Sequence, residues 1–302
     1  MKTWSLFFVL PFAAWAQNLK VAIIDTGVDS KAFPKVQTES CFQKPGSTQD
    51  EHGHGTHITG LIYEDISQIQ YISLKYYNEK ASGEENLKNL LRCFERALEL
   101  DVDVINFSGG GPIPSSLERA LMGKISEKNI LFIAAAGNES RSIDRWGFYP
   151  ASYGFSNILS VASVNARHEI LRSSNFGANH VHLAALGENV LSTLPQNQKG
   201  LMTGTSQATA LVTKVALQVL LKEPSFRRQP RALIRHLTET GLYQDQLNGK
   251  VSSARVMDSK GALERRSSAQ EASGIVIRNP ARLKEQMDQV LTRDSFSRTA
   301  SQ

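Results

Sequence analysis

The chain has 302 residues, 41% of them hydrophobic and 21% charged, with a net charge of +5. This composition excludes a collagen-like, low-complexity or wholly disordered chain and is enough for a sizeable core. The basic excess does not mark a nucleic-acid surface. Its densest cluster, Arg227, Arg228, Arg231 and Arg235, has no interleaved aromatic residues, and reads as a solvated helix face.

Residues 1–16 read as a secretory signal peptide. Met1-Lys2 is a positive start, Trp4 to Trp15 is an apolar run, and Ala14 and Ala16 occupy the positions a signal peptidase reads. The run is too short to span a bilayer, and no later run is long and apolar enough. The expectation is a secreted or periplasmic protein with no stable membrane insertion once the signal is removed. Cys41 and Cys93 are the only cysteines. They read as two separate thiols, with Cys93 on a buried helix face. A disulfide is the alternative that an oxidising compartment permits. Their spacing fits no metal motif.

The next apolar run, Leu19 to Ile24, is rich in β-branched residues and stops at Asp25-Thr26-Gly27, the pattern of a buried parallel strand. Tyr71 to Leu74 is a second candidate strand. Glu84 to Leu100 carries Leu87, Leu90, Leu91, Phe94 and Leu98 at helical spacing. Val102 to Phe107 reads as a strand running into Ser108-Gly109-Gly110-Gly111. Ser116 to Lys128 reads as a helix, and Ile130 to Ala134 as a strand before Ala136-Gly137-Asn138. Ile158 to Val164 and Val181 to Ala184 read as strands. Ser206 to Lys222 reads as a long apolar helix, and Arg231 to Thr240 as a shorter one with Pro230 suited to its first turn. Strands alternating with helices predict an α/β fold with a mainly parallel sheet. Beyond Leu263 the composition turns polar. Residues 264–302 read as a partly disordered or loosely docked tail with one short amphipathic helix around Leu283, Met287, Val290 and Leu291.

In such sheets ligands bind beyond the carboxyl ends of the strands. Asp25, Ser108-Gly109-Gly110 and Gly137-Asn138 all fall at such ends. Three segments carry the chemistry: Ile23 to Asp29 around Asp25, His52 to Gly60 around His54, and Gly204 to Ala208 around Ser206. Alone, Asp25 reads as a turn cap and Ser206 as a helix cap. The closely spaced histidines raise a metal site, but no acidic or thiol ligand is clearly placed with them, so no metal and no cofactor is expected. Together, a serine needs a base to become a nucleophile, an imidazole serves near neutral pH, and a carboxylate orients the imidazole.

On these three motifs, in this order, the chain resembles the subtilisin family (subtilases) of serine peptidases from about Leu19 to Leu263. The resemblance implies a three-layer subtilisin-like α/β fold over residues 17–263 and endopeptidase activity on protein or peptide substrates. It makes Asp25 the orienting carboxylate, His54 the base and Ser206 the nucleophile, while His57 packs or hydrogen-bonds locally and His52 has no assigned role. Asn138 becomes the oxyanion donor, joined by the Ser206 backbone N–H. Ser108, Gly109 and Gly110 become the substrate-binding strand, and Ala135, Ala136 and Gly137 help wall the pocket for the residue before the cut.

The sequence also departs from the family pattern. Asp25 lies so close behind Ala16 that no prodomain is expected between them; either the chain folds unaided, or the C-terminal tail or a separate folding partner or inhibitor assists it. Gly60 to Tyr71 lacks the loop of the family's strong calcium site, so no essential calcium is expected. Gln207 follows the serine where the family has Met, and is expected to alter the edge of the site. Ala185-Leu186-Gly187 lacks the usual proline. Phe148 precedes Tyr149-Pro150 where the family often has Gly; it is expected to fill part of the pocket and favour small or medium side chains, or else to point into the core. The alternative to catalysis is a non-catalytic peptide-binding or surface-assembly protein. The complete set of Asp25, His54, Asn138 and Ser206 favours catalysis.

Overall fold

β1 (Leu19–Asp25) alternates its buried side chains between two cores, Val21 and Ile23 on one face and Ala22 and Ile24 on the other. The structure, a computed structural model, describes residues 18–44 and 46–264. The proposed signal peptide and the tail helix around Leu283 lie outside the described residues.

After β1 come β2 (Gln37–Ser40), α1 (His54–Ile62), β3 (Ile69–Lys75), α2 (Gly83–Glu99), β4 (Val104–Phe107), α3 (Ser116–Glu127) and β5 (Leu131–Ala135). The short α4 (Ile143–Trp146) precedes β6 (Ile158–Val164), β7 (Leu183–Leu186), β8 (Val190–Leu194) and β9 (Gln198–Met202). The chain then forms α5 (Thr205–Lys222), α6 (Pro230–Glu239), β10 (Leu242–Tyr243), β11 (Arg255–Val256) and α7 (Ser259–Glu264). Among the described residues, nine strands make one sheet in the order β10-β11-β7-β6-β5-β4-β1-β3-β2. All pairs are parallel except β10 with β11, and β8 and β9 form a separate antiparallel hairpin.

The sheet is the middle of three layers. On one face α2 and α3 bring Leu90, Phe94, Leu121, Met122 and Ile125 against Ile24, Leu74, Phe107 and Phe132. On the other, α1, α5 and α6 bring Ile58, Ile62, Val212, Leu220 and Leu233 against Ile23, Val104, Ile133 and Val161. Strands covered on both faces read as continuous apolar runs because neither side meets water. Ser82 caps α2 by accepting the Glu85 N–H at 3.1 Å, and Ser115 caps α3 by accepting that of Glu118 at 3.3 Å.

Two expectations are corrected here. Cys41 and Cys93 are not separate thiols; they form a disulfide with Cα atoms 5.3 Å apart, tying the end of β2 to α2. The arginine cluster is not simply a solvated helix face. Arg227 and Arg228 lie before α6 and both pair with the buried Asp103 carboxylate, at 2.8 and 3.3 Å. Arg231 donates to Ser156 Oγ at 2.7 Å.

Candidate active site

Asp25 ends β1, the first turn of α1 starts at His54, and the first turn of α5 holds Ser206. His54 Nδ1 and Asp25 Oδ1 are 2.7 Å apart, and Asp25 is 3% exposed. Asp25 Oδ1 also accepts the Thr26 N–H at 2.7 Å. Burial alone would pull the His54 imidazole down. The Asp25 charge and hydrogen bond, with a smaller contribution from Asp50, outweigh it and hold the pKa above the ordinary 6.5. An imidazole whose Nδ1–H is given to a carboxylate presents Nε2 as the basic nitrogen.

Residues that sequence reasoning missed fix this pair. Asp50 is buried and accepts hydrogen bonds from Thr26 Oγ1, from the N–H groups of His52, Gly53 and Thr56, and from Thr56 Oγ1. Thr26 Oγ1 in turn accepts the Gly55 N–H at 2.9 Å. The end of β1 is thereby tied to the start of α1, whose unsatisfied N–H groups Asp50 caps. Gly55 permits the contact, because a Cβ there would collide with the Gly27 carbonyl. An acidic residue shortly before a helix start is the signal that could have identified Asp50.

Ser206 Oγ donates to the Ser108 carbonyl oxygen at 3.0 Å, and no hydrogen bond joins it to His54 among the described residues. The Ser108 hydroxyl donates to the Ser206 carbonyl oxygen at 3.1 Å and accepts from Asn106 Nδ2. Thr213 Oγ1 on α5 donates to Asn106 Oδ1 at 2.8 Å. A buried polar chain therefore pins the first turn of α5 to the end of β4, and the Ser108 side chain positions Ser206.

Asn138 Oδ1 accepts the Thr205 N–H at 2.9 Å. A backbone N–H only donates, so the oxygen faces Thr205 and the Nδ2 amide is left to donate outward. Gly137, at φ +99°, turns the chain into Asn138, and its N–H donates to Thr205 Oγ1 at 3.2 Å. Ala135 and Ala136 are buried, and Asn175 Nδ2 donates to the Ala136 carbonyl oxygen at 2.8 Å. The main-chain groups of Gly109 and Gly110 carry no hydrogen bond among the described residues, whereas Gly111 exchanges two with Tyr149. That free backbone edge is what an extended peptide can join as an added strand.

Phe148 is 5% exposed and packs in the α2/α3 core. Its ring also lies between the two glycine segments: a Cβ on Gly110 or on Gly137 would come within 2.9 Å of it. Phe148 is thus a core residue, with its ring beside both glycine segments. Gln207 is buried, and its Oε1 reaches back beside Gly204. His57 does not bond locally. Its Nε2 donates to the Val190 and Gly200 carbonyls of the β8–β9 hairpin, at 3.0 and 3.2 Å, and its buried Nδ1 has no partner among the described residues. Burial lowers its pKa against those two bonds, and the neutral form suits the site. His52 is exposed, its ring 6.2 Å from that of His54.

The donor set in Gly60 to Tyr71 does not fit a calcium ion. Asp65 is taken by Lys35 at 2.7 Å, and Glu64 by Lys214 at 3.0 Å and by Gln218. Among the described residues no group of His, Cys, Asp and Glu side chains stands placed to hold a metal.

A three-layer parallel α/β protein with an Asp, a His and a Ser gathered at one sheet edge is the arrangement of a serine-hydrolase class. The subtilase family's sequence profile matches residues 16–255, and the chain belongs to that family. The chain is 32% identical over 237 residues to the major intracellular serine protease of Bacillus subtilis strain 168, covering 70% of this chain and 72% of that one. It is 29% identical over 276 residues to subtilisin-like protease 2 of Plasmodium falciparum, covering 80% of this chain but only 20% of that protein's length. The solved structure of subtilase cytotoxin SubAB shares the fold, with a TM-score of 0.69 at 23% identity, covering 82% of this chain and 89% of that one.

Proposed function

We propose that the chain is an exported serine endopeptidase that cleaves peptide bonds in proteins or peptides through an acyl-enzyme on Ser206. The observation that carries this reading is the 2.7 Å bond between His54 and the buried Asp25 carboxylate, at the same sheet edge as Ser206.

The reading assigns each residue a task. An extended substrate joins the free edge of Ser108 to Gly110, with Ala135 to Gly137 walling the pocket beside the cut. A substrate N–H that takes the Ser108 carbonyl displaces the Ser206 hydroxyl, which turns to His54. Ser206 Oγ attacks the scissile carbonyl and gives its proton to His54 Nε2, while Asp25 stabilises the imidazolium. Asn138 Nδ2 and the Ser206 N–H receive the developing oxyanion. His54 passes the proton to the leaving amine, then activates the water that releases the acyl group.

Export rests on the signal-like residues 1–16 and is supported by the Cys41–Cys93 disulfide, a bond that persists in oxidising compartments. Among the described residues no helix is long and apolar enough to cross a membrane. The catalytic domain is assigned to residues 17–263 and the tail to 264–302.

A fluorophosphonate probe tests the reading. It should label the wild type and fail to label Ser206→Ala, and the secreted form should begin at Gln17. Folded wild-type protein that the probe leaves untouched would overturn catalysis in favour of the peptide-binding alternative.

A further inference from the structure

A cavity of about 580 Å³ opens beside the glycine segment, on the side of α2 and α3. Gly110 and Gly111 form one wall. Tyr76, Leu87 and Ile113 line others, and Glu118 stands among them. The cavity is thus an apolar recess next to the backbone edge that a peptide would join.

Glu118 is out of place in such a lining. It is 4% exposed, and no cation pairs with it among the described residues. Its Oε2 accepts from the Tyr153 hydroxyl at 2.6 Å. That hydroxyl accepts the Ser115 N–H at 2.9 Å, so Oε2 completes the cap of α3 through Tyr153. Oε1 has no hydrogen bond among the described residues. The neighbouring cation is turned away: the Arg119 guanidinium lies over the Tyr153 and Phe155 rings, 5.6 and 5.4 Å from their centroids. Glu84, also on the lining, is already bound to Lys88 at 2.6 Å.

A buried carboxylate without a counter-charge is unfavourable, and burial holds the Glu118 carboxyl above its ordinary pKa. A ligand that brings a cation relieves this. Its aliphatic stem would lie along the apolar wall and its charged head would reach Oε1, a division that lysine and arginine side chains make readily.

Building on the peptidase reading above, we propose that this cavity selects a lysine or arginine side chain of the substrate. It would act at one position distinct from the residue that meets Phe148, with Glu118 as the specificity-determining group.

The test uses the full-length enzyme and internally quenched peptides randomised at each position around the cut. Peptides matched except at the selected position then carry lysine, norleucine or Nε-acetyl-lysine. One position should favour lysine or arginine, with kcat/KM about tenfold or more above norleucine, the size of a charge-assisted hydrogen bond. Acetylation should remove that advantage, and in Glu118→Gln the lysine-to-norleucine ratio should fall to about one. Active enzyme with no basic preference at any position, an advantage that survives acetylation, or one that survives Glu118→Gln would overturn the proposal and leave the peptidase reading standing. Should Glu118→Gln fail to fold, the wild-type comparison of lysine with acetyl-lysine decides. Protein that cleaves nothing and takes no fluorophosphonate label would overturn both.

Discussion

Thr26 and Asp50 are joined by a 2.8 Å hydrogen bond at the point where β1 hands over to α1. Through it, the carboxylate that meets His54 and the helix that carries His54 are held as one unit. On the proposed chemistry, kcat/KM rises as His54 loses its proton, with a midpoint above 6.5 because the folded imidazole is held above that value. Asp50→Asn keeps an acceptor for the helix cap but removes a negative charge that favours the imidazolium. The acid limb should therefore move to lower pH in that variant. A limb that stays in place, or moves up, would show that Asp50 has no electrostatic reach to His54. Asp50→Ala strands five donors and should cost at least about 2 kcal/mol in chemical denaturation.

Asn138→Ala removes the outward-facing amide, together with the Oδ1 that accepts the Thr205 N–H, and leaves the Ser206 hydroxyl itself unchanged. On the proposed chemistry, turnover should fall by about 10²–10³ with KM little changed, the size expected for loss of one oxyanion donor. Steady-state kinetics on a single peptide would show this. An unchanged kcat would remove Asn138 from the oxyanion site.

Phe148 occupies the space between Gly110 and Gly137. Wild-type cleavage profiles should favour small or medium residues before the cut, and Phe148→Ala should add large aromatic ones. The ring is also core, so the variant should lose about 3–5 kcal/mol of stability and is best assayed in the cold. A wild-type profile dominated by large aromatic residues would sink this idea.

His182 accepts the Ser160 N–H through Nδ1 at 3.0 Å, and burial, with a smaller push from His180, lowers its pKa to about 4. The unfolded chain binds a proton near 6.5, before the folded one does. Stability should be full above that pH and fall as the pH drops toward 4, by roughly 3 kcal/mol from this residue. His182→Asn offers an acceptor in the same place without titrating. Denaturant midpoints measured across this window should decline less steeply in the variant, and equal slopes would refute the assignment.

The Cys41–Cys93 bond closes a separation of 52 residues. Its removal by the double Cys→Ala change should lower stability by about 2–4 kcal/mol. Alkylation of the native protein, without reductant, should find no free thiol. Two reactive thiols in that experiment would rule the bond out.

Much of this arrangement was legible in the sequence. The central strands announced themselves as apolar runs because both their faces are covered, and the polar groups of the site sat where those runs stopped. Several of the missed elements are ones whose structure is decided by partners far away in the chain. β2 is half-buried and polar, β9 is largely exposed, and β10 and β11 have two residues each, so none shows a run or a period. His57 looked local because its neighbours are close, while its partners lie on the β8–β9 hairpin. The cysteine pairing followed from the proximity of β2 and α2, which spacing alone does not reveal.

α5 packs on β4, β5, β6 and β7, and its Ser206 is bound to Ser108, 98 residues earlier in the chain. Asp25 and His54 leave the ribosome long before the segment that completes the site. On the proposed chemistry, a molecule that has not yet added α5 lacks its nucleophile. Assembly of the last central helix and the onset of cleavage thus coincide, and the architecture itself keeps an unfinished copy from digesting its neighbours.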